Sequence, residues 1–282
     1  MQKTITYTTE VSGIAINGQY SSQVIFEPAE PNTGIIFIRN DLPEKPEIEC
    51  KPEYAYFNKR WSSLTKHGVT IEHTEHILAA IRGLDITNLR IHLNGPYVPV
   101  VSDFSSLEFV QALSKAVPIT QSNPKKYKIV KEPLWVMDYF ESPDGTRHDS
   151  LLLGLPARHF SITYLLDYPD HIIPTQIAHI STMNDSNFLS ELVKARSFIL
   201  DHEYNAMVAL FGENIENCLK IPSGNAKLRW SNEIARHKLL DLTGDLMLLG
   251  QQVQGQFIGF RSGHKMNIEM VRLLSKNKDW DF

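Results

Sequence analysis

Cysteine is almost absent from this chain: Cys50 and Cys218 are the only two in 282 residues, and neither belongs to a C-x-x-C pair. That count excludes a cysteine-built metal site and makes a disulfide framework an unlooked-for feature. Long apolar runs are missing too, and no stretch approaches the length of a membrane span. The first ten residues hold no uninterrupted apolar core and no small-residue cleavage site, so no secretory leader is expected. Charge of one sign is also lacking. The 28 Lys and Arg residues are interspersed with 32 Asp and Glu residues, for a formal net charge of −4. Nothing there forms a nucleic-acid footprint, and weak acidity favours solubility without specifying a partner. These absences lead to the expectation of a soluble monomer in the reducing cytoplasm.

What is present suffices for a sizeable core, since 42% of the residues are hydrophobic and the length suits one large domain or two smaller ones. The first third reads as strands and turns. Ser21–Glu27 alternates weakly, and Pro31-Asn-Thr-Gly34 turns into the apolar run Ile35–Ile38. A helix is expected from about Thr74, because Ile77, Leu78, Ala80, Ile81 and Leu84 recur at helical spacing and Gly83 marks its end. Asn88–Leu93 reads as a strand, and Ser105–Val117 as a helix. The polar, turn-rich Gln121-Ser-Asn-Pro-Lys-Lys126 then marks the best domain boundary, giving 1–120 and 121–282.

The pattern restarts beyond it. Strands are expected around Tyr127–Val130, Leu134–Met137, Leu151–Leu155 and Phe160–Leu166. Helices are expected over Asn187–Leu200, capped by Asp185 or Ser186, and over Asn232–Leu249, with Gly250 after it. The strand Phe257–Phe260 leads through Ser262-Gly-His264 into a last helix, Asn267–Leu274. Both halves run strands, helix, strand, helix. The fold class is therefore α+β, as two related domains, each a small sheet layered with helices, with a cleft between them as the natural binding site.

Chemistry concentrates in three places. In Arg236-His-Lys-Leu-Leu-Asp-Leu-Thr-Gly-Asp245, His237, Asp241 and Asp245 stand at i, i+4 and i+8 on one helix face. Leu239, Leu240, Leu242 and Leu246 make the rest of that helix apolar, as in a buried helix, and a buried polar stripe needs partners. Taken alone, an H-x-x-x-D pair is more simply a solvated face. Thr74-Glu-His76 opens the first helix. His76 is a candidate third ligand for a catalytic zinc site, and Glu75 a candidate base for the attacking water. Acidic residues placed for the helix dipole are the bland alternative, and His73 is a competing ligand, ranked lower as a polar surface residue of the first turn. Ser262-Gly-His264 offers a loop histidine for general-acid work, oriented and kept protonated by Asp245. The other histidines, at 67, 92, 148, 159, 171, 179 and 202, follow no ligand spacing and read as structural or surface residues.

Several separated segments together resemble one family, the UDP-3-O-acyl-N-acetylglucosamine deacetylases of lipid A biosynthesis. They are Thr74–Leu84 with Asn88-Leu-Arg-Ile91, Ala195-Arg-Ser-Phe198, Leu228-Arg-Trp230 with Ala235–Leu246, and Ser262-Gly-His264 with Asn267. Pro31–Gly34, Gly95-Pro96 and Val98-Pro99 match more loosely. The resemblance is collinear over most of the chain. It implies two α+β domains with a metal site at their junction. It also implies Zn²⁺, or Fe²⁺ on similar ligands, held by His76, His237 and Asp241. Glu75 would be the general base, His264 the second catalytic histidine with Asp245 as its carboxylate partner, Lys238 the lysine near the metal, and Ser197 the hydroxyl helping to hold the oxyanion. The implied substrate is an acylated UDP-amino sugar, losing its N-acetyl group as acetate.

Departures accompany the match. The family's early Gly-Leu-His turn is Gly13-Ile-Ala15 here, and its Asp-Gly-Ser-Ala segment is Asp103-Phe-Ser-Ser106. The part between Arg196 and His237, which in the family helps enclose the acyl chain, is shorter and poorly matched. Two alternatives follow: a related zinc deacetylase acting on another acetylated amino sugar, and a non-catalytic relic of the fold. Glu75 and His264 weigh against the relic, since a purely structural site needs neither.

Overall fold

The computed structural model describes residues 1–142, 144–169, 171–181, 188, 190–212, 215, 218–221 and 227–276. Its frame is a pair of five-stranded sheets. The first takes the strands Thr9–Ile14, Ser21–Pro28, Leu89–Leu93, Ile35–Arg39 and Glu47–Glu49 in that spatial order. The second takes Leu134–Glu141, Arg147–Leu155, Gln256–Phe260, Ser161–Leu166 and Gln176–Ser181. Numbered along the chain within each sheet, both orders are 1-2-5-3-4. In both, the fifth strand runs antiparallel to the second and parallel to the third. The two halves are therefore topological repeats, which their sequences show only as a similar order of elements.

A parallel pair needs a crossover, and each half supplies one that ends in a helix. Helix α1 (Glu75–Gly83) precedes Leu89–Leu93, and α2 (Leu107–Lys115) follows it. In the second half, α3 (Tyr204–Phe211) lies in an inserted segment, α4 (Glu233–Leu246) precedes Gln256–Phe260, and α5 (His264–Lys276) follows it. Every residue of α1 is buried, and so is every residue of α4 except Arg236 and Lys238. These two helices pack against each other between the sheets. The all-round apolar character of α4 identified it as buried, and its polar stripe faces α1.

Local chemistry sets the boundaries. Thr74 precedes α1 and donates its hydroxyl to the Ser62 carbonyl at 3.0 Å, tying the helix start to a three-stranded sheet of Ala55–Phe57, Ser62–Lys66 and Val69–Glu72. At the end of α4 the chain tightens into a single 3₁₀ turn, Met247–Leu249, and stops at Gly250, whose φ of +81° suits glycine. Pairing of Lys3–Ile5 with Pro118–Thr120 draws the start of the chain to the end of the first half. Tyr127–Ile129 pairs with Gln252–Gln254 in the second.

Two expectations need correction. The helix expected over 187–200 does not extend that far, because Phe198–Leu200 is a strand paired in parallel with Leu219–Ile221. Its β-branched and aromatic residues prefer the pleated environment, and α3 forms the crossover. The caps proposed at 185 and 186 lie outside the described residues. The last helix begins at His264 rather than near Asn267, so that histidine is a helix-opening residue and not a loop residue.

Candidate metal centre

The site assembles where α1 starts, α4 passes its middle and α5 begins. Glu72, the residue before His73, anchors the approach to α1. Its buried carboxylate accepts from Tyr56, Asn58 at 2.7 Å, the Trp61 indole at 2.9 Å and Ser63 at 2.5 Å. The chain then turns through His73 at φ +65°, an uncommon conformation for a residue other than glycine. This turn delivers Glu75 and His76 at the first two positions of α1. Ser106 fixes the helix from behind, donating to the His76 carbonyl at 2.9 Å.

From α4, the one-turn spacing of His237 and Asp241 sets the His237 Nε2 3.3 Å from Asp241 Oδ1. The His76 Nε2 lies 3.5 Å from the same oxygen. Ligand atoms of His76, His237 and Asp241 all fall within 4.8 Å of one another, with all three residues buried. His76 stands more than 150 positions before the other two in the sequence, and the packing of α1 on α4 brings them together.

The donor set fits a cation. The His237 Nδ1 faces the Ala195 carbonyl at 3.3 Å, which assigns the proton to Nδ1 and leaves a lone pair on Nε2. Burial pushes that imidazole down to about 3, so it is neutral, as a metal ligand must be. Asp241 Oδ1 is buried and has no hydrogen-bond partner. Burial would raise its carboxyl, but the neighbouring imidazoles and the Lys238 ammonium, 3.0 Å from Oδ2, hold it well below the usual range. A lone pair and an unpartnered carboxylate oxygen facing one point are costly to bury without a positive centre between them.

Beside this trio stands an acid–base pair. Glu75 is 3% exposed, and one oxygen accepts from the Ser62 amide at 3.2 Å. The other lies 4.0 Å from His264 Nε2. Burial pushes its carboxyl up to about 7. His264 donates through Nδ1 to Asp245 Oδ2 at 2.8 Å, and Asn267 donates to the same oxygen at 2.8 Å. Burial would lower the imidazole, but Asp245, with help from Glu75 and Asp241, raises it to about 9. One group is thus poised to take a proton near neutral pH and the other to give one. Lys238 keeps its charge: burial pulls its ammonium down, and the Asp241 carboxylate more than restores it.

All eight residues singled out from the sequence lie in or beside this centre. Seven of them, all but Asp245, line a cavity of about 160 Å³, and Asp245 sits behind His264. Ser197 is the least committed of them, because its hydroxyl donates to the Phe104 carbonyl at 3.2 Å. Two larger cavities among the described residues, about 200 and 340 Å³, hold none of the eight. His73 corrects the sequence reading. It is 6% exposed rather than a surface residue, its ring packs edge-on to Trp61, and its Nε2 lies 3.7 Å from Glu75. The signal for Trp61 and Glu72 was absent, since both act through partners that only the folding of the three-stranded sheet brings to them. The opposite wall of the cavity is apolar: Phe104, Ile199, Met207, Phe211 and Ile215 come largely from the inserted β-α-β segment.

Fold and site together define a class: a two-domain α+β protein with a buried His-His-Asp cluster and a carboxylate–imidazole pair between its halves. The chain belongs to the UDP-3-O-acyl N-acetylglycosamine deacetylase family, whose pattern it matches over residues 2–276. It is 31% identical to the UDP-3-O-acyl-N-acetylglucosamine deacetylase of Myxococcus xanthus, over 96% of this chain and 85% of that protein. The corresponding protein of Bdellovibrio bacteriovorus is 30% identical, over 100% of this chain and 90% of the relative. A bifunctional enzyme LpxC/FabZ of Chlorobaculum tepidum is 32% identical over 99% of this chain, and the chain spans 65% of that relative's length. Among the described residues, no helix is long and apolar enough to cross a membrane.

Proposed function

We propose that this chain removes the N-acetyl group of a UDP-3-O-acyl-N-acetylglucosamine by hydrolysis, releasing acetate and a free amine, as a cytoplasmic step of lipid A biosynthesis. In this reading residues 1–120 and 121–282 are its two domains, and His76, His237 and Asp241 hold Zn²⁺. The observation that carries it is the unpartnered Asp241 oxygen facing two imidazole nitrogens, with Glu75 and His264 on its flank. A divalent ion bound there supplies Lewis-acid chemistry, polarising the acetamide carbonyl and acidifying the attacking water.

The chain's own residues do the rest. Glu75 takes a proton from water as its oxygen bonds to the acetamide carbon. The negative charge that develops on the carbonyl oxygen lies near the Lys238 ammonium. Ser197 can add a hydrogen bond there once its hydroxyl leaves the Phe104 carbonyl. When the C–N bond breaks, the amine departs only if protonated. His264 Nε2 delivers that proton, and Asp245 holds the opposite edge of the ring. One water is consumed, and one acetate and one amine are formed.

The apolar wall of the cavity supports an acylated sugar over a bare one, because a hydrocarbon chain has no other reason to enter a catalytic cleft. Turnover of the acylated and the non-acylated UDP-sugar, measured side by side with metal content, tests the proposal. Preference for the acylated form by an order of magnitude or more is expected. Equal rates would point instead to a related deacetylase of another acetylated amino sugar. Absence of turnover in metal-loaded protein would overturn the enzymatic reading altogether.

A further inference from the structure

The two topologically equivalent sheets turn opposite chemistry to their outer faces. Directly opposed residues on paired strands point to the same side, so the printed registers define rows. In the second sheet one row runs Met137, Leu151, Phe260, Leu165, Ile177 across all five strands. The next runs Trp135, Leu153, Ile258, Thr163, His179. In the first sheet the comparable rows are Glu10, Ile25, His92, Ile38, Glu47 and, over four strands, Glu27, Arg90, Ile36, Glu49. One sheet wears the charged exterior usual for a solvated face; the other carries a row without a single polar residue.

Helices α4 and α5 cover the inner side of the second sheet, and its outer side is open. Trp135, Met137 and Ile177 are each 60% exposed and Tyr139 is 52% exposed, while Leu151, Leu153, Leu165, Ile258 and Phe260 are half-buried. Together they present on the order of 700 Å² of apolar surface. That exceeds the largest patch common on a monomer and is close to the roughly 800 Å² that each partner brings to a standard interface. Charges at the rim are already neutralised within the chain. Arg147 pairs with Asp149 at 2.7 Å and lies over the Tyr139 ring, and Arg261 pairs with Asp167 and lies over Phe260.

We propose that this face is the contact of a two-fold dimer, in which the second sheets of two copies stack outer face to outer face. The face carries no excess of either charge that would select an anionic membrane or an oppositely charged partner, and its area matches one side of such an interface. A copy of itself supplies the matching apolar surface, as an isologous contact requires, and two twisted sheets stack at about 10 Å. The dimer replaces the monomer expected from sequence. It leaves the metal centre free, because that centre lies on the far side of α4.

Sedimentation or light scattering of the full chain at micromolar concentration tests this. A dimer mass is expected for the natural chain and a monomer for Met137→Lys with Ile177→Lys, with the dissociation constant raised by about 100-fold or more. Ile25→Lys, on the outer row of the first sheet, serves as the control and remains dimeric. Native circular dichroism and unchanged turnover in the double variant separate loss of the contact from misfolding. A natural chain that stays monomeric overturns the proposal, as does a double variant that stays dimeric. A monomer that instead co-sediments with phosphatidylcholine vesicles overturns it in favour of a lipid surface.

Discussion

Gly244 of α4 lies against Glu75 of α1 so closely that a Cβ there would stand 1.9 Å from the Glu75 carbonyl oxygen and 3.1 Å from the Ala79 nitrogen. Both are main-chain atoms, so no change of rotamer relieves the clash. Gly244→Ala is therefore expected to cost about 3 kcal/mol, at the upper end for overpacking, read as a lower denaturant midpoint. Moving α1 from α4 also parts His76 from His237 and Asp241, so the folded variant should bind metal more weakly. An unchanged midpoint would show that the helices have room to spare.

Metal removal should destabilise the chain as well as silence it. At free ion a thousand times above its dissociation constant, binding adds about 4 kcal/mol to the folded state. Chelation is expected to lower the melting temperature by several degrees and abolish turnover, with Zn²⁺ restoring both. Asp241→Asn removes the unpartnered carboxylate oxygen's full charge, so its melting temperature should respond weakly to added metal. A wild-type melting temperature indifferent to chelator would count against the His-His-Asp centre.

The pH profile of turnover follows from two raised groups of opposite use, one lifted by burial and the other by a neighbouring carboxylate. Burial raises Glu75 to about 7, and as a base it works only above that value, so activity should climb through it. His264, raised to about 9 chiefly by Asp245 against the pull of burial, must be protonated to donate, so activity should fall through that value. A bound cation favours the carboxylate and disfavours the imidazolium, so both limbs of the metal-loaded protein should sit lower than these figures. Asp245→Asn removes the charge that raises His264 and should move the alkaline limb down by roughly 1–3 pH units. His264→Ala should lose that limb and about 10²–10⁴-fold in rate. Persistence of the alkaline limb in His264→Ala would assign the acid elsewhere.

Phe211 lines the apolar side of the cavity and packs on Trp61, their ring centroids 5.6 Å apart. Phe211→Ala should raise KM for an acylated substrate by about 5–30-fold, the equivalent of one lost apolar contact of roughly 1–2 kcal/mol. The same change should leave the non-acylated sugar nearly untouched. Parallel losses on both substrates would place the acyl chain elsewhere.

Much of the second-half site could be read in the sequence because its residues are local. His237, Asp241 and Asp245 repeat at one helical turn on a segment otherwise rich in leucine, a pattern that suggests a buried polar stripe and that the collinear resemblance then sets above the simpler solvated face. His76 needed the resemblance to be joined to them, since no local rule links α1 to α4. His73 was misjudged for a related reason. Its ring packs on Trp61, which reaches it from the bend before the strand Ser62–Lys66, and a positive φ leaves no trace in composition. Residues 198–200 were read as the end of a helix because a three-residue strand is too short to show a period of two. The shared 1-2-5-3-4 strand order was beyond reach, because pairing between distant strands is a property of register and not of any single stretch.

In the proposed centre the ligands come from both repeats: His76 from one, His237 and Asp241 from the other. Neither repeat alone can close the coordination shell, so the reactive centre comes into being only after both have been synthesised and docked. Part of the ion's binding free energy would consequently be spent in bringing the repeats together. A substitution anywhere along the α1–α4 seam should thus surface first as leaky metal retention, before any loss of secondary structure.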